Sequence, residues 1–358
     1  MIDGRTYYQV ISGQQRGLWA GLLRAILAAA EVPYSWIIQA RNRAYDRGTF
    51  RTFWVGVPVI SVGNLVLGGT GKTPLVAWLA QWYRRQNVHV AILSRGYGAL
   101  GETGNDEAAE LRRLVPDVPH YQQADRVQAA ELAISQNGAQ LLILDDGFQH
   151  RRLHRDLDLV LLDALEPFGF GHVFPRGTLR EPLTELRRAH VLVLSRADLV
   201  DEFTRREIEQ KARQLNPDAL WAEVAYCPQH LVNASGEAAP LSAYRRQNVA
   251  AFCGVGNPAS FRLTLERHGF RVIAFQEFPD HYRYRPDDLD RLGRWADQLD
   301  IKAVICTQKD LVKLGKDFLG KRPLWALVSQ IEFLSGQEKL EEKLAALKPK
   351  TNTVPPPA

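Results

Sequence analysis

The chain has 358 residues, room for two domains of ordinary size. Hydrophobic residues make up 46% and charged residues 24%, so no long stretch is poor enough in apolar residues to be disordered, apart from the C-terminal tail. The net charge is only +5, but residues 1–51 carry seven arginines against three acidic residues, so nearly all the excess lies at the N-terminus and suits an acidic partner.

Cys227, Cys253 and Cys306 lie far apart with no C-x-x-C pair, which excludes a disulfide framework and a cysteine-rich zinc site. All three are expected to be small buried residues. The first 15 residues are polar and show no cleavage pattern, so no secretory leader is expected. No window of about 18 apolar residues lacks a charge, so no membrane span is expected either.

From the N-terminus, Leu18, Trp19, Leu22, Leu23, Ile26 and Leu27 recur at helical spacing. Pro33 is expected to interrupt the helix before Trp36, Ile37 and Ile38. With Arg24, Arg41, Arg43 and Arg47 nearby, the segment 1–50 reads as a helix packed on the protein, a helix at a membrane interface, or both. Val57–Val62 reads as a buried parallel strand, and Pro74–Arg85 as a helix with Leu75, Val76, Leu79 and Trp82 on one face. Strands follow at 88–93, 141–144, 157–163 and 191–195, with a helix at 126–136. This alternation predicts an α/β fold with a doubly wound, mostly parallel sheet over residues 51–220.

Between 221 and 247, Asn233, Gly236 and Pro240 punctuate short strand-like pieces, which suggests a hairpin linker. A smaller α/β domain is expected over 248–347. It has strands at 249–254, 272–275 and 303–307, helices at 259–268 and 286–297, and a solvated closing helix at 337–347. The proline-rich end, 348–358, is expected to be disordered.

The chemistry concentrates where the first strand meets its helix. Val66-Leu67-Gly68-Gly69-Thr70-Gly71-Lys72-Thr73 departs from G-x-x-x-x-G-K-[ST] only at Val66, where the first glycine would stand. Glycines let main-chain N–H groups turn onto phosphate oxygens, and the following helix adds its positive end. Lys72 would reach the β- and γ-phosphates, and Thr73 would place its hydroxyl on Mg²⁺. Leu141–Leu144 is an apolar strand that delivers Asp145 and Asp146, the acids such a loop needs to hold Mg²⁺ or its water. Gly147-Phe148-Gln149-His150 would then lie beside the γ-phosphate. A nucleoside triphosphate and Mg²⁺ are therefore the expected ligands of this loop.

An ordered series of motifs is more specific than any one of them. Ser61-Val62-Gly63-Asn64 leads into the glycine loop and Pro74. Ser94-Arg95-Gly96-Tyr97-Gly98 and Gly104-Asn105-Asp106-Glu107 follow, then Asp145 to His150. Pro175-Arg176-Gly177-Thr178-Leu179-Arg180-Glu181-Pro182, Phe278-Pro279-Asp280-His281-Tyr282 and Thr307-Gln308-Lys309-Asp310 complete the series. Over roughly residues 15–330 the chain resembles the tetraacyldisaccharide 4′-kinases of lipid A synthesis.

The resemblance implies a two-domain P-loop fold joined by a strand linker. It implies transfer of the ATP γ-phosphate to the 4′-hydroxyl of a tetraacylated glucosamine disaccharide 1-phosphate, forming lipid IVA, at the cytoplasmic face of the bacterial inner membrane. Asp106 is similar to the family's base on the acceptor hydroxyl, and His281 to the histidine that supports it from the second domain. Arg126 matches a functional arginine. Lys72 and Asp145 stand with these on the catalytic side, Thr73, Glu107 and Asp146 on the metal side, and Gln149 and His150 near the phosphates. The implied partners are the lipid A disaccharide precursor and, through the N-terminal helix, an anionic membrane surface. Leu18, Trp19, Leu22, Leu23, Trp36 and Arg41-Asn42-Arg43 are the candidate contacts. A monomer is expected, and no nucleic-acid partner.

Two other classes share the glycine loop. A nucleotide-driven metal chaperone lacks support, because no Cys or His cluster offers a metal site. A GTP-dependent switch would need N/T-K-x-D, and in Thr307-Gln308-Lys309-Asp310 the order is wrong. Thr307 and Asp310 therefore read as strand-end and helix-cap residues.

Overall fold

The computed structural model describes residues 4–96, 106–280 and 282–348, with backbone alone for Gly4, Arg5, Asp106 and Glu107. In chain order the first elements are helices α1 (Gly4–Ile11) and α2 (Leu18–Asp46), strand β1 (Val59–Asn64), α3 (Lys72–Arg84), β2 (Val90–Ser94), α4 (Asp106–Leu114), β3 (His120–Gln122), α5 (Arg126–Asn137), β4 (Leu141–Asp145), β5 (Leu157–Asp163), β6 (Val191–Ser195) and α6 (Glu202–Leu215). Then come β7 (Leu220–Val232), β8 (Ala238–Pro240), β9 (Asn248–Cys253), α7 (Pro258–Arg267), β10 (Arg271–Glu277), α8 (Pro286–Asp297), β11 (Ala303–Thr307), α9 (Gln308–Leu314), β12 (Phe318–Leu319), β13 (Arg322–Ser335) and α10 (Gln337–Ala346).

The chain divides into two units, one within Met1–Tyr97, Leu114–Val224 and Phe333–Ala358, the other within Gly98–Arg113 and Ala225–Glu332. Strands β7 and β13 each begin in one unit and end in the other.

In the first unit the strands run in the order β7-β6-β5-β1-β4-β2-β3. Every neighbouring pair is parallel. Central strands read as continuous apolar runs because helices cover both faces of such a sheet, and every residue of β1, β4 and β5 is buried. β1 lies between β4 and β5, so its carboxyl end opens where chain order along the sheet reverses, the usual place for a ligand in this fold. The second unit repeats the theme with parallel β10-β9-β11-β13 around Phe252, Leu292, Val304 and Leu324. The hairpin expected in 221–247 is the antiparallel pairing of β8 with the end of β7.

Three local expectations are corrected. Pro33 does not interrupt the N-terminal helix, since α2 runs through it from Leu18 to Asp46. A proline removes one N–H from the helix, and here Ala29, whose carbonyl loses that donor, is exposed and open to water. Cys227 is only half-buried, with its thiol 2.9 Å from a Glu332 carboxylate oxygen. The closing helix α10 is not solvated all round: Leu340 and Leu344 are buried, and Tyr83 Oη donates to Leu344 O at 2.8 Å in the first unit.

Candidate active site

β1 delivers the chain into Leu65–Gly71 and α3 carries it away. The carboxyl end of β1 is tightly packed. A Cβ on Gly63 would come within 2.6 Å of Phe148 Cβ and 2.7 Å of Phe148 N, so only glycine lets the turn after β4 close onto β1. Gly71 is the N-cap of α3 at φ 82, a left-handed conformation that favours glycine, and among the described residues no side chain caps the helix. The first N–H groups of α3 are thus available to an anion.

The loop is shaped from within and braced from outside. Asn64 Nδ2 donates to Val66 O at 3.0 Å and Gly68 O at 3.5 Å. The segment 173–180 docks on its base through an antiparallel bridge of Val66 with Leu179. Leu67 N donates to Thr178 O at 2.7 Å, and Arg180 N to Leu65 O at 2.6 Å. Thr70 is 2% exposed, and its hydroxyl has no hydrogen-bond partner among the described residues. A buried hydroxyl left without a partner in a glycine loop fits a phosphate oxygen.

Lys72 is buried, its ammonium 3.4 Å from Asn64 Oδ1 and 3.2 Å from Asp146 Oδ1. Asp146 follows β4 with φ 56, in the left-handed region that aspartate tolerates better than most residues. Arg180 Nη1 donates to both of its carboxylate oxygens, at 3.0 and 2.8 Å. Burial would raise the Asp146 pKa, but Lys72 and Arg180 outweigh it and hold the carboxyl well below the usual carboxylate range. Gln149 Nε2 donates to Asn64 O at 2.9 Å, and Gln149 Oε1 lies 3.4 Å from Arg180 Nη1. Lys72, Asn64, Asp146, Gln149 and Arg180 therefore form one polar cluster at the carboxyl ends of β1 and β4.

Thr73 and Asp145 are both buried at the same end of the sheet. Arg126 and His150 make a second group. Arg126 opens α5 with its Nη1 3.2 Å from Ala124 O. Burial first, then the Arg126 and Arg155 guanidiniums, push His150 down to about 4, so its ring is neutral at neutral pH. Asp106 and Glu107 open α4, but their side chains are outside the described residues, as is His281. α4 groups with the second unit, where Glu110 pairs with Lys309 at 3.8 Å. In that unit Thr307 caps α9, its Oγ1 accepting from Asp310 N, so Thr307-Gln308-Lys309-Asp310 is a strand-end and helix-cap device.

Asn64, Arg180 and Glu181 lie inside the ordered motifs, but nothing in their spacing points to the contacts they make. The Arg41-Asn42-Arg43 run suggests membrane contacts for Arg41 and Asn42. Both are turned inward: Asn42 is 2% exposed, and Arg41 Nη2 donates to Gln149 O at 2.5 Å. Arg43 stays exposed. As for Mg²⁺, no group of three or more His, Cys, Asp or Glu side chains among the described residues could hold a metal. A hydroxyl and one or two carboxylates suffice when phosphate oxygens and water complete the shell, and Thr73, Asp145 and Asp146 match that donor chemistry.

The buried strand, capless helix and lysine-bearing glycine loop define a P-loop NTPase-like fold built to bind a nucleotide's phosphates. The family model described as LpxK, Tetraacyldisaccharide-1-P 4′-kinase, matches residues 23–348. A tetraacyldisaccharide 4′-kinase of Anaeromyxobacter sp. (strain K) is 38% identical over 93% of this chain and 93% of its own. That of Halothermothrix orenii is 36% identical over 87% of this chain and 88% of its own. The crystal structure of LpxK from Aquifex aeolicus in complex with ATP superposes with a TM-score of 0.70 at 31% identity, covering 91% of this chain and 99% of that one. The chain belongs to the tetraacyldisaccharide-1-phosphate 4′-kinase family, and is a kinase that binds ATP and phosphorylates the 4′ position of the lipid A precursor.

Proposed function

We propose that the chain makes lipid IVA at the cytoplasmic face of the bacterial inner membrane. Lys72 and the loop amides hold the ATP phosphates, and Asp106, supported by His281, takes the proton of the 4′-hydroxyl. The observation that carries this reading is the Lys72 ammonium, buried at the mouth of an uncapped helix and held there by Asn64 and Asp146. A sugar hydroxyl is a weak acid, so a positioned carboxylate helps by accepting its proton as the P–O bond forms. Most of the rate gain comes from holding the hydroxyl in line and neutralising phosphate charge. Magnesium, when bound, would neutralise charge on the β- and γ-phosphates, and Thr73, Glu107 and Asp146 would hold it.

The membrane part of the proposal rests on α2. Contrary to the expectation of no span, it is by length and composition apolar enough to cross a bilayer. Leu18 is 97% exposed, Trp19 68%, Trp36 70% and Ile37 67%. From Glu31 to Asp46 the opposite side is tied to the rest of the first unit. Glu31 accepts from Val173 N at 2.6 Å, and Arg151 donates to Asn42 O at 3.0 Å and to Asp46 at 2.7 Å. Such ties favour a helix lying in the interface over one crossing it. A four-chain acceptor barely leaves the bilayer, so the enzyme must come to it.

The direct test is phosphate transfer from γ-labelled ATP to tetraacyl disaccharide 1-phosphate in detergent micelles. Labelled lipid from wild type, falling at least 100-fold in Lys72→Ala and in Asp106→Ala, is the expected outcome. ATP hydrolysis without labelled lipid would sink the acceptor assignment. Full activity in Asp106→Ala would remove that residue from the role of base.

A further inference from the structure

The turn Phe148-Gln149, which packs against the end of β1, has both of its main-chain carbonyls bound by arginines. Arg188 Nη1 donates to Phe148 O at 3.1 Å, and its guanidinium stacks 4.1 Å over the Phe148 ring. Arg41 Nη2 donates to Gln149 O at 2.5 Å. One carboxylate serves both: Glu181 is fully buried, pairs closely with Arg188, and lies 3.6 Å from Arg41 Nη1. Arg188 comes from the same stretch of chain as Glu181, but Arg41 comes from α2, the helix with the exposed Leu and Trp side chains.

Gln149 passes this tie onward. Its Nε2 donates to Asn64 O, and Asn64 in turn holds both the loop carbonyl of Val66 and the Lys72 ammonium. A continuous run of hydrogen bonds thus joins α2 to the phosphate-binding lysine through two residues, all within the first unit. We propose that Arg41 is a positioning residue for phosphoryl transfer: it anchors the Gln149 turn, and through Gln149 and Asn64 sets the place of Lys72 in the glycine loop. Its guanidinium turns inward to Gln149 and Glu181 rather than out to lipid headgroups. The interfacial helix is therefore also a structural part of the nucleotide site.

This inference rests on the reading of the loop as the ATP-phosphate site, and the test separates the two. Full-length wild type, Arg41→Ala, Arg41→Lys and Lys72→Ala are compared for KM of ATP, KM of the lipid acceptor, and partition onto vesicles containing phosphatidylglycerol. Arg41→Ala should raise KM for ATP about tenfold, with lipid KM and vesicle partition within twofold of wild type. Arg41→Lys, which keeps the charge but not the fork that reaches both partners, should fall between. Lowered vesicle partition or raised lipid KM, with KM for ATP unchanged, would make Arg41 a headgroup ligand and overturn the proposal. Should Arg41→Ala melt at a markedly lower temperature, Arg41→Lys decides. At an unchanged melting temperature, a threefold or larger rise in its KM for ATP supports the proposal, and a wild-type KM overturns it. Unaltered ATP affinity in Lys72→Ala would defeat the phosphate-loop reading itself. Loss there with no change at Arg41 defeats only the present inference.

Discussion

Lys72 sits between two acceptors, Asn64 and Asp146, and Asp146 is in turn gripped by Arg180. The carboxylate stands where it can compete with nucleotide phosphate for the same ammonium. Asp146→Asn keeps a residue that tolerates the left-handed backbone and removes the charge. Steady-state kinetics should show KM for ATP falling several-fold and kcat falling with it. A rise in KM would mean that the carboxylate orients Lys72 or holds the metal rather than competing for the lysine. His150 makes a second prediction. An unfolded chain takes its proton near pH 6.5, whereas the folded chain resists until about 4. The unfolded form therefore binds more protons across that window, so the folded state loses stability as pH falls from 6.5 towards 4 and gains nothing from this group above 6.5. Urea midpoints at both pH values should drop more for wild type than for His150→Gln, and an equal drop would refute the low value.

At the scale of elements, β1, the turn after β4 and the 173–180 segment are one packed assembly around the loop. Gly63 is its tightest point, with Phe148 where a side chain would begin. Gly63→Ala forces either β1 or the Gln149 turn to move, at a cost of about 1–3 kcal/mol for overpacking. Urea unfolding should report that loss, and KM for ATP should rise as well, because the displaced turn carries Gln149. A stability loss with unchanged kinetics would show that the turn yields without disturbing Asn64. Many of the elements are legible, though not α1 or α6: β5 and β6 fall on the apolar runs 157–163 and 191–195, and α8 on 286–297. Their signals are local, a run of buried side chains or a helical period closed by a cap. β3 and β13 were missed. β3 has three half-buried residues, and β13 is buried only in part, so neither carries the continuous apolar run of a central strand.

Across the whole molecule, one face of α2 is joined to the first unit by Glu31, Arg41, Asn42 and Asp46, and the other presents Leu18, Trp19 and Trp36 to the outside. Burying three such side chains in an interface is worth several kcal/mol together. Leu18→Ser combined with Trp19→Ser and Trp36→Ser should lower partition onto vesicles by at least tenfold and leave ATP binding in solution intact. Co-sedimentation and nucleotide titration would check the two halves, and unchanged partition would end the interfacial reading of α2.

The sequence by itself determined the nucleotide loop, the parallel sheet and the family. A glycine turn between a buried strand and a helix is written in consecutive residues, and an ordered series of motifs survives any rearrangement of surface side chains. Only the tertiary structure decided what Arg41 does. Its neighbours in sequence, Arg43 and Arg47, suggested a headgroup contact, whereas its partners, Gln149 and Glu181, lie more than a hundred residues away. The same holds for the grip of Arg180 on Asp146 and for Glu110 of α4, which meets Lys309. The direction in which a charged side chain turns is set by which buried acceptors the packed fold brings within reach, and that is a property of packing rather than of spacing along the chain.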